Sequence, residues 1–217
     1  MEQDAIARAA AYLAEAFETG NPLAPLPAGL RPATVEDGAE IAGAALDALG
    51  LPPNGLRLAP GPGGAMLAGP MLATRIVASG TPVALSTLRH PRLSAAAIGV
   101  LAEPLDPAST VAPVIAALHP AIDIAASRYR DGARAAAECT ADLGGLGLVV
   151  AGRRATWNGA PLPVALARDG ASVRGTACDL AAAFARAAAE ARRWGGLPAG
   201  ALLVVAGLSP AATPAAS

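Results

Sequence analysis

The feature that most constrains this chain is a change of hydrophobic period between Gly50 and Gly55. Before it, apolar residues recur at helical spacing. Ile6, Ala9, Ala10, Leu13, Ala16 and Phe17 share one face over residues 2–18, and Gly20 with Pro22 stops the run. A Pro-rich connector, NPLAPLPAGLRP, follows. Thr34 then precedes Val35-Glu36-Asp37, which is N-cap chemistry with acids in the first turn. This second helix carries Ile41, Ala45 and Leu49 on one face and ends at Gly50 before Pro52-Pro53. Residues 1–50 therefore read as a two-helix N-terminal segment.

From Gly55 short apolar runs alternate with Gly, Pro and Asp punctuation, the pattern of a β-rich domain over 55–210. Candidate strands are 55–59, 72–78, 83–87, 93–101, 121–126, 146–151, 162–168, 171–174 and 201–206, with Asp169-Gly170 as a hairpin signal. Val111, Val114, Ile115 and Leu118 predict a helix near 110–118. Asp179 predicts the N-cap of another, running to Trp194 before Gly195-Gly196. Residues 211–217, of low complexity, read as a frayed tail.

Charge and cysteine usage narrow the function. The formal net charge is -1, which leaves no basic footprint for nucleic acid or an anionic membrane. All 16 basic residues are Arg, so neither a Schiff-base nor a Walker lysine is available. No apolar run approaches the roughly 20 residues of a membrane span. Cys139 and Cys178 have neither a disulfide framework nor metal-knuckle spacing, and a reduced cytoplasm is the expected compartment.

One ordered series carries a resemblance. Arg89 to Leu105 reads RHPRLSAAAIGVLAEPL, and from Ala117 the chain reads ALHPAIDIAASRYRD. Thr19-Gly20-Asn21-Pro22, Gly55-Leu56-Arg57-Leu58, Gly69-Pro70-Met71-Leu72, Ala141-Asp142 before Gly147, Gly175 before Leu180, and Leu202 to Pro210 fall around them in order. Together these resemble the 2-keto-4-pentenoate hydratase branch of the fumarylacetoacetate hydrolase family. The resemblance implies an α+β fold, with N-terminal helices packed on a mixed, highly curved β-roll. It also implies a divalent metal, held by Glu-x-Glu on one strand and a third Glu on the next, and a substrate-binding Lys on the first strand.

In this chain the Glu-x-Glu positions hold Ser94 and Ala96, the third Glu is Asp123, and the Lys is Arg57. Leu143 and Val205 replace a family Asn and Thr. A hard cation that chelates a 2-oxo acid needs about three anionic oxygens, and only Asp123 supplies any. Arg57 keeps the charge of Lys but stays protonated, so it cannot transfer a proton. The expectation is a lost Mg²⁺/Mn²⁺ site, no cofactor, and a degenerate hydratase-like protein acting as a non-catalytic partner or helper subunit. It would form a homo-oligomer, or a hetero-oligomer with an active paralogue or a decarboxylase relative.

Two other readings stay open. One is a metal-independent hydratase or lyase on a small 2-oxo (dienol) acid, with Asp123, Arg57 and His119 as catalytic candidates and Arg57, Arg92, Arg128 and Ser94 as substrate contacts. The other is a small-ligand binding protein. His90 and His119 could join Asp123 in a replacement metal site suited to Zn²⁺ or Fe²⁺, against the plainer reading of turn-capping histidines. Asp123, if buried without metal, needs a cation, and Arg57, Arg92 and Arg128 are the candidates. The run Ala59-Pro60-Gly61-Pro62-Gly63-Gly64 lacks the Lys, Ser and Thr of a phosphate cradle and reads as a loop.

Overall fold

A computed structural model describes residues 1–167 and 174–214. The chain opens with α1 (Gln3–Thr19) and α2 (Val35–Leu49). α1 ends at Gly20, which adopts the left-handed φ of 69° that a residue with Cβ resists. α2 begins in a full capping box. The Thr34 hydroxyl accepts from the Asp37 N–H at 3.1 Å, and the Asp37 carboxylate accepts from the Thr34 N–H at 3.0 Å.

The sheet strands are β1 (Gly55–Pro60), β2 (Met66–Met71), β3 (Ile76–Ala78), β4 (Arg92–Leu101), β5 (Ile115–Ala125) and β6 (Leu146–Ala151). A short helix α3 (Ala136–Ala141) separates β5 from β6. A separate hairpin pairs β7 (Leu162–Val164) with β8 (Thr176–Cys178), and α4 (Leu180–Arg193) and β9 (Leu202–Val205) follow. Seven strands form one mixed sheet in the order β2-β1-β9-β4-β5-β6-β3, curled into a half-barrel. β9 runs parallel to β1 and antiparallel to β4, and β3 runs parallel to β6. The fold is α+β, as expected. Among the described residues no helix is long and apolar enough to cross a membrane.

Side chains alternate across each strand, so the sheet has two faces with different loads. One face sets Leu56, Leu58, Ala97, Leu101, Leu203 and Val205 against α4. α4 answers with Leu180, Ala183, Phe184, Ala187, Ala188 and Ala191, a stripe at helical spacing. The Asp179 carboxylate caps this helix by accepting from the Ala182 N–H at 3.0 Å. Phe184 lies over Gly99, where a Cβ would meet its ring at 2.9 Å. The other face packs Ile98, Val149 and Val204 against Ala42 and Leu46 of α2. The same face carries Arg57, Ser94, Ala96 and Asp123.

Several sequence expectations need correction. No helix forms near 110–118: Ile115 starts β5, whose eleven residues ladder against β4 from Leu101↔Ile115 to Arg92↔Ala125. The helical spacing of Val111, Val114, Ile115 and Leu118 is coincidental. Val111 and Val114 are exposed, Pro113 interrupts the run, and β-branched residues suit the long partner strand that β4 supplies. Of the strand expected at 72–78 only β3 forms, after a 3₁₀ turn at Ala73–Arg75, while β2, just before it, was not expected; the strand expected at 83–87 contains a 3₁₀ turn, Leu85–Thr87. α3 was not anticipated. The Asp169-Gly170 turn and most of the strand expected at 171–174 fall outside the described residues. Within the stretch read as a tail, Ala212 exchanges two backbone hydrogen bonds of 2.8 Å with Leu93.

Candidate functional site

Register brings together the positions where the resemblance expects metal ligands. Ser94 of β4 stands opposite Asp123 of β5, and Ala96 opposite Ala121. β1 brings Arg57 to the same face from two strands away, with β9 between. Arg57 and Asp123, 66 positions apart in sequence, form a two-pronged ion pair. Nε donates to Oδ1 and Nη2 to Oδ2, each at 2.6 Å, and Nη1 donates to the Gly144 carbonyl at 2.8 Å. Both side chains are almost fully buried, at 1% and 3% exposure. Burial opposes the Arg57 charge, but the Asp123 carboxylate outweighs it and holds the guanidinium above its ordinary range.

The rest of this face is small or satisfied. The Ser94 hydroxyl accepts from the Gly207 N–H at 3.0 Å. Ala96 packs with Ala59, Ala206 and Ala121. The carbonyl that holds Arg57 comes from a turn in which Leu143, Gly144 and Gly145 are all left-handed, with φ of 55°, 63° and 71°. Gly69 permits the approach of that turn, since a Cβ on it would fall 2.8 Å from the Leu143 carbonyl oxygen.

These residues do not fit a divalent cation. Both Asp123 oxygens are engaged by a guanidinium, Ala96 offers no donor, and Arg57 puts a positive charge where a metal would sit. Among the described residues no three His, Cys, Asp or Glu side chains are grouped to hold a metal. His90, His119 and Asp123 accordingly do not converge on a replacement site. His119 lies about 13 Å along β5 from Asp123, at the usual rise of a strand, and its Nδ1 contacts the Gly152 carbonyl at 3.0 Å. His90 is exposed, with φ of 49°, and its Nε2 contacts the Arg130 carbonyl at 2.8 Å.

Of the three candidate cations for Asp123, Arg57 takes the role. Arg92 is exposed at the start of β4. Arg128 belongs to a second buried pair, in which its Nη1 donates to Asp142 Oδ1 at 2.9 Å. Oδ2 of Asp142 also accepts from the Arg128 N–H at 2.9 Å and the Ser127 hydroxyl at 2.8 Å. Nη2 of Arg128 donates to the Leu146 carbonyl. Asp142 thus ties the α3–β6 turn to the end of β5. Its position inside Ala141-Asp142 marked it as a family match, but nothing in the sequence named its partner. Cys139 senses both pairs. Burial and Asp142 raise its thiol to about 11, opposed by Arg57 and Arg128.

No family model matches the chain, and no curated protein is similar to it in sequence. Its fold recurs in solved structures, among them two of one enzyme. The 4-oxalocrotonate decarboxylase from Pseudomonas putida G7, complexed with magnesium and adipate, superposes with a TM-score of 0.74 at 17% identity, over 94% of this chain and 87% of that one. The same enzyme complexed with calcium and acetate gives 0.74 at 16%, over 99% and 91%. The fold is thus of the fumarylacetoacetate hydrolase type, as the sequence motifs implied.

Proposed function

We propose that this chain is a hydratase–decarboxylase relative that has exchanged metal-dependent chemistry for a structural ion pair and serves as a non-catalytic partner subunit. The observation that carries the reading is the Arg57–Asp123 pair. A base must reach substrate, and Asp123 is sealed at 3% exposure with both oxygens bonded. An arginine in place of a lysine on β1 supplies charge without proton transfer. Met66 and Trp194, both exposed, line one shared hollow between α2, β2 and α4, an apolar surface that favours association with a second copy or with an active relative.

The test is calorimetric titration of Mg²⁺ and Mn²⁺ into the wild-type protein and into Ser94→Glu/Ala96→Glu/Asp123→Glu/Arg57→Lys. The wild type is expected to take up no heat-detectable metal at millimolar concentration and to leave 2-hydroxypenta-2,4-dienoate absorbance unchanged. The restored variant is expected to bind one cation. Metal-independent turnover by the wild type, at the rate of about 1–10³ s⁻¹ of ordinary enzymes, overturns the reading in favour of a lyase.

A further inference from the structure

A cavity of about 70 Å³ opens where the end of α1, the turn after β2, the segment before β4 and the end of β5 meet. Arg75, Arg89 and Arg128 line it, and no Asp or Glu does. The three guanidiniums are unequally compensated. Arg128 is matched by Asp142 at 2.9 Å. Arg89 donates to the Gly20 carbonyl and has no acidic partner among the described residues. Arg75 is half-buried and has neither an ion pair nor a hydrogen bond there. Its guanidinium stacks over the Phe17 ring, whose centroid lies 4.3 Å from Cζ. Arg128 stacks toward the same ring at 5.3 Å, so two like charges flank one aromatic.

Such an arrangement is electrostatically unfinished. Burial and the neighbouring Arg128 both oppose the Arg75 charge, while a planar donor fork stays free toward the cavity. The Asn21 side chain, which also lines the space, makes no recorded hydrogen bond among the described residues. The volume holds a few water-sized groups, enough for an oxyanion head and too little for a ring system.

We propose that this cavity binds a small oxyanion, either the carboxylate of an organic acid or inorganic phosphate, with Arg75 and Arg89 as charged contacts and Asn21 as a neutral donor. Guanidinium forks match both oxyanions geometrically, and Phe17 holds the Arg75 plane in place. The site shares no residue with the Arg57–Asp123 pair, and it stands whether or not the chain binds metal.

The experiment is titration calorimetry and thermal unfolding with phosphate, with succinate, and with chloride at matched ionic strength. One oxyanion is expected to bind at one site per chain and raise the unfolding temperature, while chloride does neither. Arg75→Gln is expected to weaken binding by about ten- to a hundredfold, the loss typical of a charge-assisted contact, and Arg75→Lys to retain part of it. Without anion, Arg75→Gln should unfold no earlier than the wild type, because a like charge beside Arg128 is removed. Should that variant fold poorly, Asn21→Ala carries the same test on a neutral contact. The proposal falls if neither oxyanion outcompetes chloride, or if Arg75→Gln and Asn21→Ala both bind like the wild type. Preference for succinate identifies a carboxylate site, and preference for phosphate a phosphate site.

Discussion

The two buried arginine–aspartate pairs have the same chemistry and different jobs. Arg57–Asp123 is closed, since every polar group it desolvates is answered within the pair or by the Gly144 carbonyl. Arg128–Asp142 is a junction. Asp142 also satisfies a backbone N–H and the Ser127 hydroxyl, and Arg128 keeps 12% of its side chain exposed, beside the cavity. A closed pair can in principle be replaced as a unit. A junction cannot, because other groups depend on it. The comparison also shows why the count of buried charges says little about stability: their connections decide it.

The largest expected effect is from Asp123→Ala, which strands a buried guanidinium. Urea unfolding should show a loss of about 3–5 kcal/mol, more than Asp142→Ala, whose arginine can turn toward the cavity. If Asp142→Ala costs as much or more, the distinction collapses. Next comes joint apolar replacement. Arg57→Met/Asp123→Leu should return to within about 1 kcal/mol of the wild type or exceed it. Arg128→Met/Asp142→Leu should remain about 3 kcal/mol short, because the Arg128 N–H and the Ser127 hydroxyl lose their acceptor. Equal recovery of both double variants would refute the junction.

The smallest effect is a pH response read at Cys139, between the two pairs. Its thiol titrates near 11 in the fold against an ordinary 9.0, so the unfolded chain loses the proton first. A raised value means the contribution is complete below pH 9 and is lost as pH climbs through 11, amounting to about 2 kcal/mol by that point. Cys139→Ala should flatten this part of the alkaline stability curve. An unchanged curve would mean that neither burial nor Asp142 holds the thiol up.

Local signals were legible where one residue type has one structural use. Thr34, Gly50 and Asp179 mark helix ends, and the apolar runs at 93–101 and 146–151 became β4 and β6 with little change. What failed was spacing without context. Val111 to Leu118 had a helix's period, yet pairing with β4 decided its first half as loop and its second as strand. α3 is six residues long and alanine-rich, too short for its period to emerge from a chain with alanine everywhere. The need of Asp123 for a cation followed from its apolar strand, but the choice among three arginines lay in sheet order, and strands adjacent in space are not adjacent in sequence. The cavity was less visible still, for Arg75 sits in the irregular turn between β2 and β3 and meets Phe17 only through tertiary packing.

Among the described residues β9 comes last of the sheet strands in sequence, and it holds the centre of the sheet, bonded to β1 on one side and β4 on the other. Until residues 202–205 leave the ribosome, the chain holds two separate half-sheets, β1-β2 and β4-β5-β6-β3, each with an open edge where β9 belongs. Synthesis therefore produces a waiting period in which the Val- and Leu-rich faces lack their central partner, and any stall or truncation before Leu202 prolongs it. Unpaired edges of this kind are templates for pairing with other chains. The same strand that finishes the fold thus sets the interval during which the nascent protein is most exposed to aggregation.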